Sequence, residues 1–157
     1  MMEGCDMIVN LQKLPEIHIS ETVKLKRVFP GDKEKVLNFI REHFSENWVY
    51  EVECAILQSP SKCFIATENG KILGFACYDA TAKGFFGPTG VDPARRGEHI
   101  GQALLVRTLR AMAEYGYGYA IIGWVSEAEL FYRKTVGAEF IKGGEPENSV
   151  YANLVFM

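Results

Sequence analysis

The chain has 157 residues, of which 48% are apolar, 24% charged and 12% aromatic, and its 17 Lys plus Arg against 20 Asp plus Glu leave a formal charge of −3. That length suits a single domain over residues 1–157 with a sizeable core, and the apolar fraction excludes disorder. No apolar run approaches the ~18–20 residues of a membrane helix, and the mildly acidic balance argues against bulk nucleic-acid binding, which needs a large positive surface.

Met1 to Glu16 carries Glu3 and Asp6 before any basic residue, so it does not read as a signal or transit peptide, and a cytoplasmic location is expected. Cys5, Cys54, Cys63 and Cys77 form no C-x-x-C pair and are expected to be free, mostly buried thiols. His18, His43 and His99 lack metal-type spacing to one another or to the cysteines, so no metal site is expected.

Taken along the chain, the first strand signal is Val23 to Phe29, stopped by Pro30-Gly31-Asp32. Asp32 is a natural N-cap for a helix through Phe44, with Val36, Leu37, Phe39, Ile40 and Phe44 as its apolar stripe. A second helix begins at Asn47, places Trp48, Val49, Val52, Ala55 and Ile56 at helical spacing, and ends at Ser59-Pro60. Lys62–Glu68 and Lys71–Asp79 are strand-like runs joined by Asn69-Gly70, two residues that tolerate the positive φ a tight hairpin requires.

Phe85 to Val91 is a strand with a fault, because Gly87-Pro88-Thr89-Gly90 removes a backbone donor and two side chains from the ladder. Ile100 to Tyr115 is a long helix closed by Gly116, and Tyr119 to Val125 has the nearly continuous apolar pattern of a strand buried on both faces. Strand, loop, helix and strand from Phe85 to Val125 therefore form a crossover unit with parallel strands. Ser126-Glu127-Ala128-Glu129 reads as a capping box opening a helix to about Val136, and Glu139–Lys142 with Val150–Phe156 reads as a closing antiparallel pair. The expected architecture is a mixed, mainly antiparallel sheet with helices on its faces.

Chemistry concentrates in Val91-Asp92-Pro93-Ala94-Arg95-Arg96-Gly97-Glu98-His99-Ile100-Gly101-Gln102, which leaves the carboxyl end of a parallel strand and enters a helix. First-turn N–H groups have no internal acceptor, small residues let an anion approach the backbone, and two arginines add positive charge. An anion site is expected here. Neither G-x-G-x-x-G nor G-x-x-x-x-G-K-[ST] occurs, which disfavours NAD and ATP.

The run Arg96-Gly97-Glu98-His99-Ile100-Gly101 resembles motif A of the GNAT acetyltransferase superfamily, [QR]-x-x-G-x-[GA], with His99 in place of the central glycine. The order of elements from Val23 to Phe156 is also similar to that superfamily. The resemblance implies an α/β, GNAT-like acyl-CoA N-acyltransferase fold: a mainly antiparallel sheet with a splayed parallel central pair and helices on both faces. It implies acetyl-CoA as co-substrate, with the backbone from Arg96 to Gln102 on the diphosphate and backbone groups near Val91 on the pantetheine arm or thioester carbonyl.

The same resemblance carries Tyr132, in Ala128-Glu129-Leu130-Phe131-Tyr132-Arg133-Lys134, onto the position of a phenol that protonates the departing thiolate. It implies a small-molecule primary amine as acceptor, direct attack in a ternary complex, and the homodimers common in that superfamily. A pocket walled by Trp48, Tyr50 and Tyr78 is one place for the acceptor; the same aromatics also suit the core. No carboxylate lies between Phe85 and Gly90, and Glu51, Glu53 and Asp79, the nearest by topology, read as solvated surface charges, so no general base is assigned. That gap keeps a second reading open, a GNAT fold that binds or senses acetyl-CoA without turnover.

Overall fold

The computed structural model describes residues 3–155. Seven strands and four helices follow one another as β1 (Cys5–Asn10), β2 (Lys24–Arg27), α1 (Lys33–His43), α2 (Glu46–Ile56), β3 (Cys63–Glu68), β4 (Lys71–Tyr78), β5 (Phe85–Val91), α3 (Ile100–Tyr115), β6 (Tyr119–Val125), α4 (Glu129–Val136) and β7 (Glu139–Phe140). The strands build one sheet in the order β2-β3-β4-β5-β6-β1-β7, antiparallel throughout except for β5 and β6.

Local chemistry sets most of these elements where the sequence reading put them. Asn69 and Gly70 adopt φ of 52° and 76°, the left-handed pair that lets β3 turn directly into β4. Gly116 and Gly137 end α3 and α4 with positive φ. Ser45 caps α2 by accepting from the Trp48 N–H at 3.4 Å, starting that helix at Glu46 rather than Asn47. Asp32 precedes α1 as expected, but its carboxylate accepts from the Phe29 N–H at 3.0 Å and the Lys26 ammonium at 2.7 Å rather than from the helix.

The sheet separates two apolar layers. On one face α3 and α4 pack Leu104, Leu105, Leu109, Met112 and Tyr132 against Phe64, Ala76, Tyr78, Phe86 and Ile122. On the other, α1 and α2 pack Val36, Ile40, Val52 and Ile56 against Cys63, Ile65, Phe75 and Cys77. Strand alternation explains the division, because neighbours such as Phe85 and Phe86 point to opposite faces. Cys5, Cys63 and Cys77 are buried, Cys54 is exposed and all four are free thiols.

Several expectations fail, each for a tertiary reason. Residues 5–10 form an interior strand between β6 and β7, with Cys5, Met7 and Val9 buried. Asp6 interrupts their apolar pattern yet is buried itself, because Oδ1 accepts the Trp124 N–H at 3.1 Å. Since β1 occupies that position, β7 pairs with β1 (Met7 with Phe140, Ile8 with Glu139) and not with the C-terminal segment. Val150–Asn153 is a 3-10 turn, and Phe156 lies outside the described residues.

β6 is not covered on both faces, since Tyr119 and Trp124 are more than half exposed. The expected capping box before α4 is also absent: the helix starts behind Ala128 with no side-chain cap. Among the described residues no helix is long and apolar enough to cross a membrane.

Candidate functional site

The fault in β5 opens the sheet. Tyr78 faces Phe86 while Ala76 faces Thr89, so Gly87 and Pro88 form a bulge against β4. On the opposite side β5 pairs with β6 only at Phe85–Ile121 and Phe86–Ile122. From Gly87 to Val91 the β6-facing edge of β5 therefore has no strand partner, and the two strands diverge. Val91 itself remains paired to β4 at Gly74.

The diverging end leads into the loop singled out above. Asp92 caps a 3-10 turn, Pro93–Arg95, by accepting the Ala94 N–H at 2.9 Å. Gly97 then takes φ 86° and His99 φ 64°, and α3 begins at Ile100. The first bond closing α3 runs from the Ala103 N–H to the His99 carbonyl at 3.0 Å. Among the described residues, no backbone N–H from Arg96 to Gln102 finds a protein acceptor. A run of unpaired amides at the amino end of a sixteen-residue helix, beside an open strand edge, is a cradle for a polyanion.

The side chains here behave differently from the sequence expectation. Arg95 is committed to carboxylates, with Nε 2.8 Å from Glu98 and Nη1 2.8 Å from Glu68, so it does not supply free positive charge. Hydrogen bonds from Arg95 hold the Glu98 carboxyl below its ordinary pKa, and bonds from Thr22 and Arg95 do the same for Glu68. Glu98 is thereby drawn toward Arg95. Arg96 has no such partner among the described residues. His99 occupies left-handed space that costs a non-glycine residue about 1–2 kcal/mol. Among the described residues its ring reaches only the Gln102 amide, at 3.4 Å.

Tyr132 projects from α4 into the core on the α3 side, edge-on to Phe86 with ring centroids 6.2 Å apart. Burial pushes its phenol up to about 12, helped by the nearby Tyr151, and the hydroxyl has no hydrogen-bond partner among the described residues. Tyr151 lies on the other face, its hydroxyl above Gly123 of β6 and its ring edge-on to Phe85 and Trp124. Any side chain at Gly123 would displace it: a Cβ there would meet the Tyr151 oxygen at 2.5 Å.

The aromatic pocket expected from Trp48, Tyr50 and Tyr78 does not assemble. Tyr78 is buried on the α3 face, Trp48 packs tilted against Phe44 and edge-on to Phe75 under α1 and α2, and Tyr50 is exposed. Of the carboxylates read as solvated, Asp79 and Glu51 differ from expectation, whereas the Glu53 side chain is 42% exposed. Asp79 is buried and accepts from Lys62 Nζ at 2.7 Å, the Gly84 N–H at 2.8 Å and Tyr117 at 2.9 Å. Burial alone would raise its pKa, but Lys62, Gly84 and Tyr117 outweigh burial and hold it below the ordinary value. Glu53 pairs with Lys33 at 3.4 Å, and Glu51 accepts from the Thr81 hydroxyl. An open cleft of about 370 Å³ between α1 and the β3–β4 turn is lined by Lys35, His43, Lys71 and Asp92.

A model of the acetyltransferase (GNAT) domain matches residues 59–135, from the loop before β3 to the last turn of α4. The chain carries a GNAT acetyltransferase domain. The matched span includes the splayed strands and the amide loop. Among solved structures, a GCN5-related N-acetyltransferase from Sphaerobacter thermophilus is 22% identical with a TM-score of 0.69, over 87% of this chain and 48% of that one.

A GNAT family acetyltransferase from Brucella melitensis in complex with acetyl-CoA is 22% identical at a TM-score of 0.51, over 73% and 82% of the two chains. An aminoglycoside acetyltransferase from an uncultured soil metagenomic sample, in complex with trehalose, is 19% identical at 0.55, over 75% and 90%. At such identities the likeness establishes the GNAT fold. The chain spans about half the length of the Sphaerobacter protein and 19% of a fungal multi-domain β-N-acetylglucosaminidase with a glucosamine N-acetyltransferase region. No curated protein matches the chain at a significant level.

Proposed function

We propose that the protein transfers an acetyl group from acetyl-CoA to a primary amine of a small molecule by direct attack in a ternary complex. The observation that carries this reading is the run of unpaired amides from Arg96 to Gln102 at the mouth of the β5–β6 splay. Those N–H groups, with the free Arg96 guanidinium, suit the diphosphate of coenzyme A, and the unpaired edge from Gly87 to Val91 suits the amides of its extended arm. The Brucella neighbour with acetyl-CoA and the aminoglycoside acetyltransferase support the choice of donor and of a small amine as acceptor.

When bound, acetyl-CoA supplies a thioester, an acyl group already activated for attack by nitrogen. The chain supplies position and protons. Tyr132 stays protonated throughout the neutral range, because its pKa is raised to about 12, and an unbonded phenol beside the splay can donate to a departing thiolate. None of the four cysteines lies on the amide loop or on α4, which favours direct transfer over an acyl-cysteine. The expected cytoplasmic location and homodimer belong to the same proposal.

The test is titration calorimetry with acetyl-CoA, followed by thiol release across a panel of amines. Micromolar or tighter binding with release for at least one amine supports transfer. Replacing Tyr132 by Phe is expected to lower kcat at least ten-fold while leaving acetyl-CoA binding intact. Binding without release for any amine would favour the non-catalytic module, and no heat at all would remove both readings.

A further inference from the structure

The two faces of the splay are chemically unlike. The amide loop and Tyr132 lie on the α3–α4 face, so a donor held there presents its thioester at the gap, and the acceptor comes from the α1–α2 face. At the gap that second face offers Tyr151, whose hydroxyl rests on Gly123, with Thr81 beside it and Glu51 of α2 bonded to Thr81. The rings of Phe85 and Trp124 stand edge-on against Tyr151.

Charge pairing sets Glu51 apart. On α2, Glu46 meets Arg41 at 3.5 Å and Glu53 meets Lys33 at 3.4 Å. The buried Asp79 is tied to Lys62 at 2.7 Å. Glu51, half-buried on the same helix, has no cationic partner among the described residues and only the Thr81 hydroxyl to satisfy it. A partly desolvated carboxylate without a counter-ion is costly unless a cation arrives from outside the chain.

Resting on the transfer reading above, we infer that Glu51 is the acceptor-binding carboxylate and general base. It holds the ammonium of a primary amine at the α1–α2 mouth of the splay, with Thr81 and Tyr151 as positioning residues. The aromatic cluster of Phe85, Trp124 and Tyr151 next to Thr81 suits an amine carried on an apolar or aryl body, with cation–π contact available from Tyr151.

The proton ledger closes. Glu51 takes one proton from the ammonium and passes it to solvent, and the freed nitrogen attacks the carbonyl carbon. As the N–C bond forms and the C–S bond breaks, Tyr132 gives its proton to the departing thiolate, and the second proton of the nitrogen, taken up by Glu51 and relayed through solvent, restores the phenol. The titratable groups facing Glu51 are Tyr151 from the C-terminal turn, the Cys77 thiol of β4 and Cys54 of its own helix, with Asp6 of β1 on the far side of Tyr151. Burial holds Cys77 protonated and burial raises Tyr151 to about 12, so none of these two competes as a base near neutrality. Asp6 is occupied by the Trp124 N–H.

The experiment measures thiol release from acetyl-CoA with 2-phenylethylamine, glucosamine, lysine and spermidine for wild type, Glu51→Gln and Glu51→Asp, as kcat and KM against pH. Gln keeps an acceptor for Thr81, so folding should be preserved, which thermal melting checks. Glu51→Gln is expected to lower kcat/KM at neutral pH by ten-fold or more, leave acetyl-CoA affinity unchanged and move the rising limb of the profile toward the amine's own pKa. Glu51→Asp should restore part of the rate, and 2-phenylethylamine should be the best of the four amines. A wild type that turns over amines with a Glu51→Gln profile superimposable on its own overturns the Glu51 assignment alone. Spermidine preferred over 2-phenylethylamine overturns the apolar-acceptor class. A wild type that releases no thiol with any of the four overturns the transfer reading and this inference with it.

Discussion

Two polar regions sit at opposite ends of β5, and they are built on opposite rules. At the start of the strand Asp79 is buried with every oxygen engaged by Lys62, Gly84 and Tyr117. At its end the backbone N–H groups from Arg96 to Gln102 find no acceptor among the described residues. A closed network fixes the strand where it must pair; an open one leaves hydrogen-bonding capacity for a ligand where the strand parts from β6. Satisfaction, rather than polarity, separates scaffold from site.

The sharpest way to break that contrast is to open the closed end. Asp79→Ala strands the Lys62 ammonium in a buried site and is expected to cost about 3–5 kcal/mol in urea denaturation, with acetyl-CoA binding retained by the folded fraction. A loss below about 1 kcal/mol would show the cluster to be dispensable.

Alkali probes the next effect. The Tyr132 phenol rises from an unfolded value of 10.0 to about 12 in the fold, so its contribution is complete below pH 10 and disappears as pH climbs toward 12. Wild type should lose roughly 2–3 kcal/mol across that window, and Tyr132→Phe should lose correspondingly less. Equal slopes for the two proteins would contradict the assignment.

Smaller effects separate the two loop arginines. Arg96→Ala should weaken acetyl-CoA binding about ten-fold, close to one charge-assisted bond, whereas Arg95→Ala should lower stability more than affinity because its partners are Glu68 and Glu98. Equal affinities for wild type and Arg96→Ala would remove that side chain from the site. Last, His99→Gly should stabilise the fold by about 1 kcal/mol and keep or tighten binding, because glycine enters left-handed space without penalty. A ten-fold loss by calorimetry would instead make the imidazole a ligand.

Legibility in the sequence followed the distance over which each instruction acts. The Asn69-Gly70 hairpin, the bulge at Gly87-Pro88 and the α3 boundaries were readable because the residues that decide them are adjacent. β1 was not, because Asp6 looks like a surface charge until the Trp124 N–H, 118 residues away, is brought to it. The Asp79 network hid for the same reason: Lys62 and Tyr117 come from other elements. In the site, the amide loop was marked by its local motif, but the commitment of Arg95 to Glu68 and the left-handed φ of His99 were not. Topology brought Glu51 near the site together with Glu53 and Asp79, but nothing local told it apart from them, since its distinction is a missing partner.

The placement of β1 bears on synthesis and assembly. Its strand is among the earliest segments of this sequence to be translated, yet both its neighbours, β6 and β7, come after residue 118. The seam of the sheet can therefore close only when most of the polypeptide is available, a long-range pairing that slows folding. Until then β6 offers a bare edge, open to a strand from another copy, so deleting residues 5–10 should yield aggregates rather than a smaller folded protein.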